Sequence, residues 1–165
     1  MNPQRVLETL CIFVRYLVAL ALPLCVVACA GESPPCPFSE HTDRAPSAGC
    51  FAVSERGLLL IQDITGKISI PGGSSLHDES AQCTAFRETW EETGLSLRPR
   101  QLLTIFDTGF YLYRCERHAG SGEIDPPLPL EVRDAFYLPA ARFEEFQWRF
   151  EEQRELLKDM LSRVN

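Results

Sequence analysis

The sequence is short of positive charge and of long hydrophobic runs. Its 165 residues include 16 Lys and Arg against 23 Asp and Glu, which gives a formal net charge of −7 at pH 7. An acidic surface argues against binding nucleic acid through its phosphates. The longest uncharged, mostly apolar run covers only residues 16–30, whereas a membrane-spanning helix needs roughly 20 residues. We therefore expect no nucleic-acid partner, and the run favours a secretory signal over a membrane span.

The N-terminal segment has the order of features found in a secretory signal. Arg5 and Arg15 give it a weakly basic start, and the apolar run follows. Two processing sites fit its end: residues 26–29 (VVAC) resemble the bacterial lipobox, in which Cys29 would be lipidated, and residues 28–30 (ACA) fit signal-peptidase cleavage. A retained anchor helix is the third alternative. All three predict an extracytoplasmic location for the folded part.

The chain divides into three parts by composition. Residues 1–30 are the predicted signal, and residues 31–48 are rich in Pro, Ser and Gly without periodicity, as expected of a linker. Residues 49–165 are long enough for one domain with one core. We therefore expect a single folded domain that meets a membrane only through its N-terminal segment or an attached lipid.

Cysteine usage fits an oxidising compartment. Of the seven cysteines, the four outside the predicted signal are Cys36, Cys50, Cys83 and Cys115. An even number permits disulfides, and Cys36 with Cys50 is the first pair to test. The alternative is that Cys50, Cys83 and Cys115 are small buried residues. Their spacing does not resemble a zinc site.

Apolar and alternating runs between turns predict β-strands, and one amphipathic pattern predicts a C-terminal helix. The strands are predicted at residues 50–53, 57–62, 67–70, 101–108, 110–116 and 135–138, and the helix at residues 150–164. A further helix is predicted within residues 71–95, where a Gly-Gly turn leads into a helix-forming stretch that ends at Gly94, a typical C-cap residue. The mixture predicts an α/β fold with a mixed β-sheet.

Three glutamates stand at the C-terminal end of that central helix. Glu88, Glu91 and Glu92 are spaced i, i+3 and i+4, which places their carboxylates on one face. Anions at a helix C-terminus oppose its dipole, and neighbouring like charges repel. A hard cation such as Mg²⁺ or Mn²⁺, which prefers oxygen ligands, would offset this repulsion. The alternative is a solvated acidic face, but three acids at the unfavourable end of a helix favour the cation.

The same stretch resembles the signature of the Nudix (MutT-like) hydrolase family, G-x5-E-x7-R-E-U-x-E-E-x-G-U, in which U is apolar. Every charged and glycine position matches, and a chance match at a given start is on the order of 10⁻⁹. The matching residues are Gly73, Glu79, Arg87, Glu88, Glu91, Glu92 and Gly94. Leu95 fits the last apolar position, whereas Thr89 departs from the other one and Asp78 stands where many members have glycine.

The resemblance implies a fold, a reaction and a set of site residues. The fold is a Nudix-type α/β/α sandwich with a mixed β-sheet. The reaction is metal-dependent hydrolysis of a nucleoside diphosphate linked to another moiety, such as ADP-ribose, a nucleotide sugar or a dinucleoside polyphosphate. The implied catalytic residues are Glu88, Glu91 and Glu92, the implied ligands of Mg²⁺ or Mn²⁺ are these three and the Gly72 carbonyl, and the implied structural residues are Gly73, Glu79, Arg87 and Gly94. The alternative is an inactive Nudix-fold module that binds nucleotides or acts as a sensor.

Two tyrosines after the signature are candidates for substrate binding. Tyr111 and Tyr113 share one face of a predicted strand with Cys115 by alternation. Members of the resembled family that act on dinucleoside polyphosphates often carry a base-stacking tyrosine in this part of the chain. The alternative is ordinary sheet packing, because tyrosine is common in strands.

Overall fold

The computed structural model describes residues 33–38, 43–127 and 131–163, all of which belong to one compact unit, Ser33–Asn165. The predicted signal, residues 1–30, lies outside these ranges, so its interpretation stays a prediction. Among the residues that the structure describes, no helix is long and apolar enough to cross a membrane.

The described residues form short strands, two α-helices and one 3₁₀ helix. The strands are β1 (Ser47–Phe51), β2 (Val53–Ser54), β3 (Gly57–Asp63), β4 (Ile68–Ser69), β5 (Gly72–Ser74), β6 (Leu97–Ile105), β7 (Phe110–Arg117) and β8 (Val132–Leu138). The helices are α1 (Ala81–Thr93), the 3₁₀ helix (Ala140–Glu145) and α2 (Glu151–Ser162). Each predicted strand and helix has a counterpart here, with ends shifted by a few residues. Strand β5 and the 3₁₀ helix were not predicted.

The strands form one mixed and one antiparallel sheet. The first has the order β5-β1-β7-β6, in which β1 and β7 run parallel and the other neighbours antiparallel. In the second, β3 pairs antiparallel with β2, β4 and β8. Parallel neighbours need a long crossover, and α1 lies within the connection between β1 and β7.

Successive residues of β1 belong to two different hydrophobic clusters. Cys50 of β1 joins the cluster that contains Ala81 and Ala85 of α1, while its neighbour Phe51 joins the cluster that contains Leu157 of α2. Because successive strand residues point to opposite faces, each helix covers a different cluster. The predicted α/β/α sandwich with a mixed sheet is thereby confirmed.

Helix α1 begins and ends at residues with capping geometry. The Ser80 side chain accepts a hydrogen bond from the Cys83 N–H at the N-terminus. At the C-terminus Gly94 is left-handed, with φ of 73°, and its N–H donates to the Trp90 carbonyl. A Cβ at this position would lie 2.3 Å from the Asp125 carbonyl oxygen, so glycine is required on two grounds. The predicted C-cap role of Gly94 is therefore confirmed.

The predicted Cys36–Cys50 disulfide is wrong. Cys36 is bonded to Cys83 of α1, and Cys50 of β1 is bonded to Cys115 of β7, each pair with a Cα–Cα distance of 5.4 Å. Sheet order decides the partner of Cys50, because β1 lies beside β7 in the mixed sheet. The alternative was correct in one respect, since Cys50 and Cys115 are also buried in the core.

Candidate active site

The double-glycine bend lies against the acidic end of α1. Pairing of β5 with β1 places Gly72 opposite Gly49 and Gly73 opposite Ala48. The Gly72 N–H donates a 2.7 Å hydrogen bond to Oε2 of Glu92. A Cβ on Gly73 would lie 2.3 Å from Oε2 of Glu88, so a side chain at this position would displace the Glu88 carboxylate.

Arg87 is at the centre of a carboxylate cluster on α1. Its Nη1 donates to Oε1 of Glu88 at 2.7 Å and to Oε2 of Glu91 at 3.0 Å. Its Nε and Nη2 each donate to Glu79 at 2.9 Å, and Nη2 also donates to the Ser74 carbonyl at 2.9 Å. This bidentate contact ties the loop that precedes α1 to the helix itself.

Burial sets the protonation tendencies of these glutamates. Burial alone would raise the pKa of Glu79, but hydrogen bonds from Arg87, the Leu76 N–H and Thr84 hold that pKa below its usual value. For Glu88, burial outweighs the neighbouring guanidinium and raises the pKa. For Glu92, burial raises the pKa to about 8, and the Gly72 N–H only partly offsets it. The two carboxyl groups that face the glycines therefore have an environment that disfavours their negative charge.

The donor set fits a hard divalent cation. Within the described ranges no three His, Cys, Asp or Glu side chains are gathered in a geometry ready to hold a metal ion. Two of the glutamates, Glu88 and Glu91, are instead paired with Arg87. Glu92, in contrast, takes part in none of the ion pairs found among the described residues. A buried carboxylate without a cationic partner is costly, and oxygen donors are the ones that Mg²⁺ and Mn²⁺ prefer. A cation beside Glu92 would supply the counter-charge that the protein does not.

A cavity of about 460 Å³ adjoins Gly72 and Gly73. Its lining includes three phenylalanines and a cation at the start of α2. These are Phe106, Phe110, Phe150 and Arg149. The Arg149 guanidinium lies 5.4 Å from the centre of the Phe150 ring and forms no ion pair within the part of the chain that the structure describes. Its positive charge also acts to lower the pKa of Glu92, although burial prevails. The cavity therefore offers aromatic faces and an unpaired cation next to the glycine bend.

The two tyrosines predicted as candidates for substrate binding do not line this cavity. Tyr113 is only 3% exposed and belongs to the cluster covered by α1, with Tyr111 packed against it and the two ring centres 6.5 Å apart. Neither lines the cavity. The stacking prediction for Tyr113 is thus corrected in favour of core packing, because the alternation that groups the tyrosines points them toward α1. Phe110, one position earlier, faces the cavity instead.

Sequence reasoning missed the aromatic residues and Arg149. The sequence offered one signal, two phenylalanines at either end of the β6–β7 turn. In the structure the rings of Phe106 and Phe110 meet edge to face, with their centres 5.9 Å apart. Arg149 and Phe150 directly precede α2. Nothing in the sequence indicated that these two places meet, since that depends on how the C-terminal segment crosses the sheets.

A match to a family model agrees with the fold. A model described as the NUDIX domain matches residues 43–160, well over half of the chain. The protein therefore belongs to the Nudix hydrolase family, whose members act on phosphoanhydride bonds, and the predicted family and enzyme class are confirmed.

Solved structures share the fold. An ADP-ribose pyrophosphatase from Streptococcus suis 89-1591 has a TM-score of 0.55 and 23% identity over 69% of this chain and 89% of that chain. A UDP-X diphosphatase has a TM-score of 0.59 and 17% identity over 78% of this chain and 67% of that chain. MutT protein from Methanosarcina mazei Go1 has a TM-score of 0.55 and 18% identity over 78% of this chain and 99% of that chain. At such identities the likeness shows the fold alone. No curated protein matches the chain.

Proposed function

We propose that this Nudix hydrolase is a metal-dependent pyrophosphohydrolase that cleaves a nucleoside diphosphate linked to another moiety. One observation carries the proposal: the carboxyl group of Glu92 is buried beside the Gly72 backbone without a cationic partner. Keeping such a group ionised is unfavourable unless a positive charge arrives to balance it. A divalent cation accompanying a diphosphate substrate is that charge.

The proposal assigns each residue of the signature a role. Glu88, Glu91, Glu92 and the Gly72 carbonyl would hold Mg²⁺ or Mn²⁺, which when bound would supply charge neutralisation at the diphosphate and a lowered pKa for a water molecule. Glu91 or Glu92 accepts the proton of the attacking water. Arg87 and Glu79 hold the loop and helix in register, as their contacts indicate.

The cavity supports a substrate with a ring and a phosphate. The exposed faces of Phe106, Phe110 and Phe150 suit a base or sugar, and the Arg149 guanidinium suits a phosphate oxygen. Two solved structures with the same fold are those of an ADP-ribose pyrophosphatase and a UDP-X diphosphatase. ADP-ribose and nucleotide sugars are therefore the first substrates to test, with a diadenosine polyphosphate as the third.

An extracytoplasmic location is part of the proposal. We propose that residues 1–30 are a signal or lipoprotein signal and that the domain works outside the cytoplasm. The two disulfides support this, because such bonds persist in oxidising compartments and are rare in reducing ones. Fractionation of cells that produce the chain, with thiol labelling of each fraction, tests it. A purely cytoplasmic protein with four free thiols in the domain would contradict it.

The activity is tested with the purified protein, Mg²⁺ and the three substrates. We expect Glu92→Gln to lower turnover by about 10²–10⁴-fold while the protein still melts near the wild-type temperature, because the amide has the shape of the carboxyl group and its oxygen can still accept from the Gly72 N–H. Glu116→Gln, an exposed glutamate of β7 paired with Arg100, is the matched control and should be fully active. Hydrolysis by wild type that persists in EDTA would contradict metal dependence. Binding without product in a single-turnover assay would indicate the nucleotide-binding module instead.

A further inference from the structure

Residues 33–38, predicted as part of a free tether, instead lie along α1; we call this segment the strap. It makes three contacts with the helix. The Phe38 ring meets the Phe86 ring edge to face at 6.5 Å, Cys36 is bonded to Cys83, and the Ser33 hydroxyl donates to Oε1 of Glu91 at 2.5 Å. The strap thus reaches from the first half of α1, at Cys83 and Phe86, to Glu91 at the proposed metal site.

The contact with Ser33 completes the environment of Glu91. Oε2 of Glu91 accepts from Arg87, and Oε1 accepts from Ser33, so the carboxylate is held from two sides. Each carboxylate oxygen has two lone pairs, which leaves Oε1 able to accept the hydroxyl and bind a cation together. Partners of this kind orient a ligand and commonly set the affinity of a metal site.

The disulfide is what keeps Ser33 in place. Ordering six residues costs more conformational entropy than one ring pair and one hydrogen bond return, so the strap needs the covalent bond to stay on the helix. Pro34 and Pro35 lie between Ser33 and Cys36. Because proline fixes φ and favours an extended chain, they form a stiff spacer between the disulfide and the hydroxyl.

We propose that Ser33 is a positioning residue for Glu91, clamped by the Cys36–Cys83 disulfide, and that the disulfide thereby sets the cation affinity of the site. This inference rests on the proposed function, since it takes Glu91 to be a metal ligand. It adds a residue from outside the Nudix signature to the metal site, and it gives one of the two disulfides a role in function as well as in stability.

The test is a titration of the full protein with Mn²⁺, followed by electron paramagnetic resonance of the free ion. We expect Ser33→Ala and Cys36→Ser each to weaken binding by about 10-fold, and Ser33→Thr, which keeps the hydroxyl, to bind as wild type does. Ser162→Ala, which removes an exposed hydroxyl of α2 that donates to the Asp159 carbonyl, should have no effect.

Combining the variants separates positioning from general destabilisation. If the disulfide acts through Ser33, the double variant Ser33→Ala, Cys36→Ser binds no more weakly than Cys36→Ser alone. Unchanged or tighter binding by Ser33→Ala, or losses that add in the double variant, would overturn the inference. Wild-type protein that binds no Mn²⁺ would instead overturn the proposed function, so the two failures are distinct.

Discussion

Two arginines of this protein each contact three glutamates, yet their surroundings differ. Arg87 lies on α1 at the proposed site, and Arg154 lies on α2 at the surface. The partners are Glu79, Glu88 and Glu91 for the first and Glu144, Glu151 and Glu155 for the second. The Arg87 side chain is 14% exposed and its partners at most 20%, whereas the partners of Arg154 are more than half exposed.

The comparison shows that burial, and not the number of ion pairs, decides what a charge cluster contributes. Water screens the exposed cluster, and pairs of that kind are worth about 0–1 kcal/mol. In the half-buried cluster each group depends on its partner, and removing one leaves the others uncompensated. Only the Arg87 cluster can therefore hold α1 and the preceding loop in a fixed relation.

The largest effect is expected from removing the arginines themselves. Arg87→Ala should lower the free energy of unfolding by about 3–5 kcal/mol, because three half-buried carboxylates lose their counter-charge. Arg154→Ala should cost about 1 kcal/mol or less. Urea unfolding followed by circular dichroism measures both. Added Mg²⁺ should restore part of the unfolding free energy lost in Arg87→Ala and none of that lost in Arg154→Ala. Equal losses of unfolding free energy in the two variants would refute the comparison.

A smaller effect is expected from Glu79, the partner that Arg87 holds with two hydrogen bonds. These and other hydrogen bonds keep the pKa of Glu79 below its usual value despite burial. The unfolded state then takes up a proton at higher pH than the folded state does, so the stabilisation is present above the unfolded pKa and is lost as pH falls through the folded one. Glu79→Gln should lower the free energy of unfolding by about 2 kcal/mol at neutral pH. It should also make that free energy fall less steeply as the pH is lowered, which is the acid limb of the stability profile.

The control for that experiment is Glu145, an exposed glutamate. A hydrogen bond from Arg142 also lowers its pKa, but solvent screens the pair. Chemical unfolding between pH 3 and pH 7, roughly the range in which carboxylates titrate, should give Glu145→Gln the acid limb of wild type. An acid limb of wild-type steepness in Glu79→Gln would show that Glu79 does not couple protonation to folding.

The sequence predicted the features that depend on neighbouring residues. Local rules were sufficient for α1, because Gly94 ends it and the spacing of Glu88, Glu91 and Glu92 follows from helical periodicity. The signature likewise identified the family. Both depend on residues close in sequence, for which spacing determines geometry.

Features that depend on sheet order were missed. Cys50 and Cys115 are bonded although they are 65 residues apart in the sequence. The parallel pairing of β1 with β7, which permits this bond, leaves no local pattern in the sequence. The approach of Arg149 to the glycine bend has the same cause. The spacing of the three glutamates also gave no indication that Arg87 would engage Glu88 and Glu91 in this structure.

The smallest expected effect tests the same principle on neutral groups. Thr89 and Thr93 are both fully buried on the inner face of α1. The Thr93 hydroxyl donates to the Thr89 carbonyl at 2.6 Å and accepts from the Leu95 N–H at 3.1 Å, whereas the Thr89 hydroxyl has no hydrogen-bond partner among the described residues. Thr89→Val should therefore stabilise the protein by about 1 kcal/mol, and the isosteric Thr93→Val should destabilise it by about 1 kcal/mol. Differential scanning calorimetry measures the two shifts in melting temperature. Shifts of the same sign would mean that shape at these positions matters more than satisfaction of the buried hydroxyl.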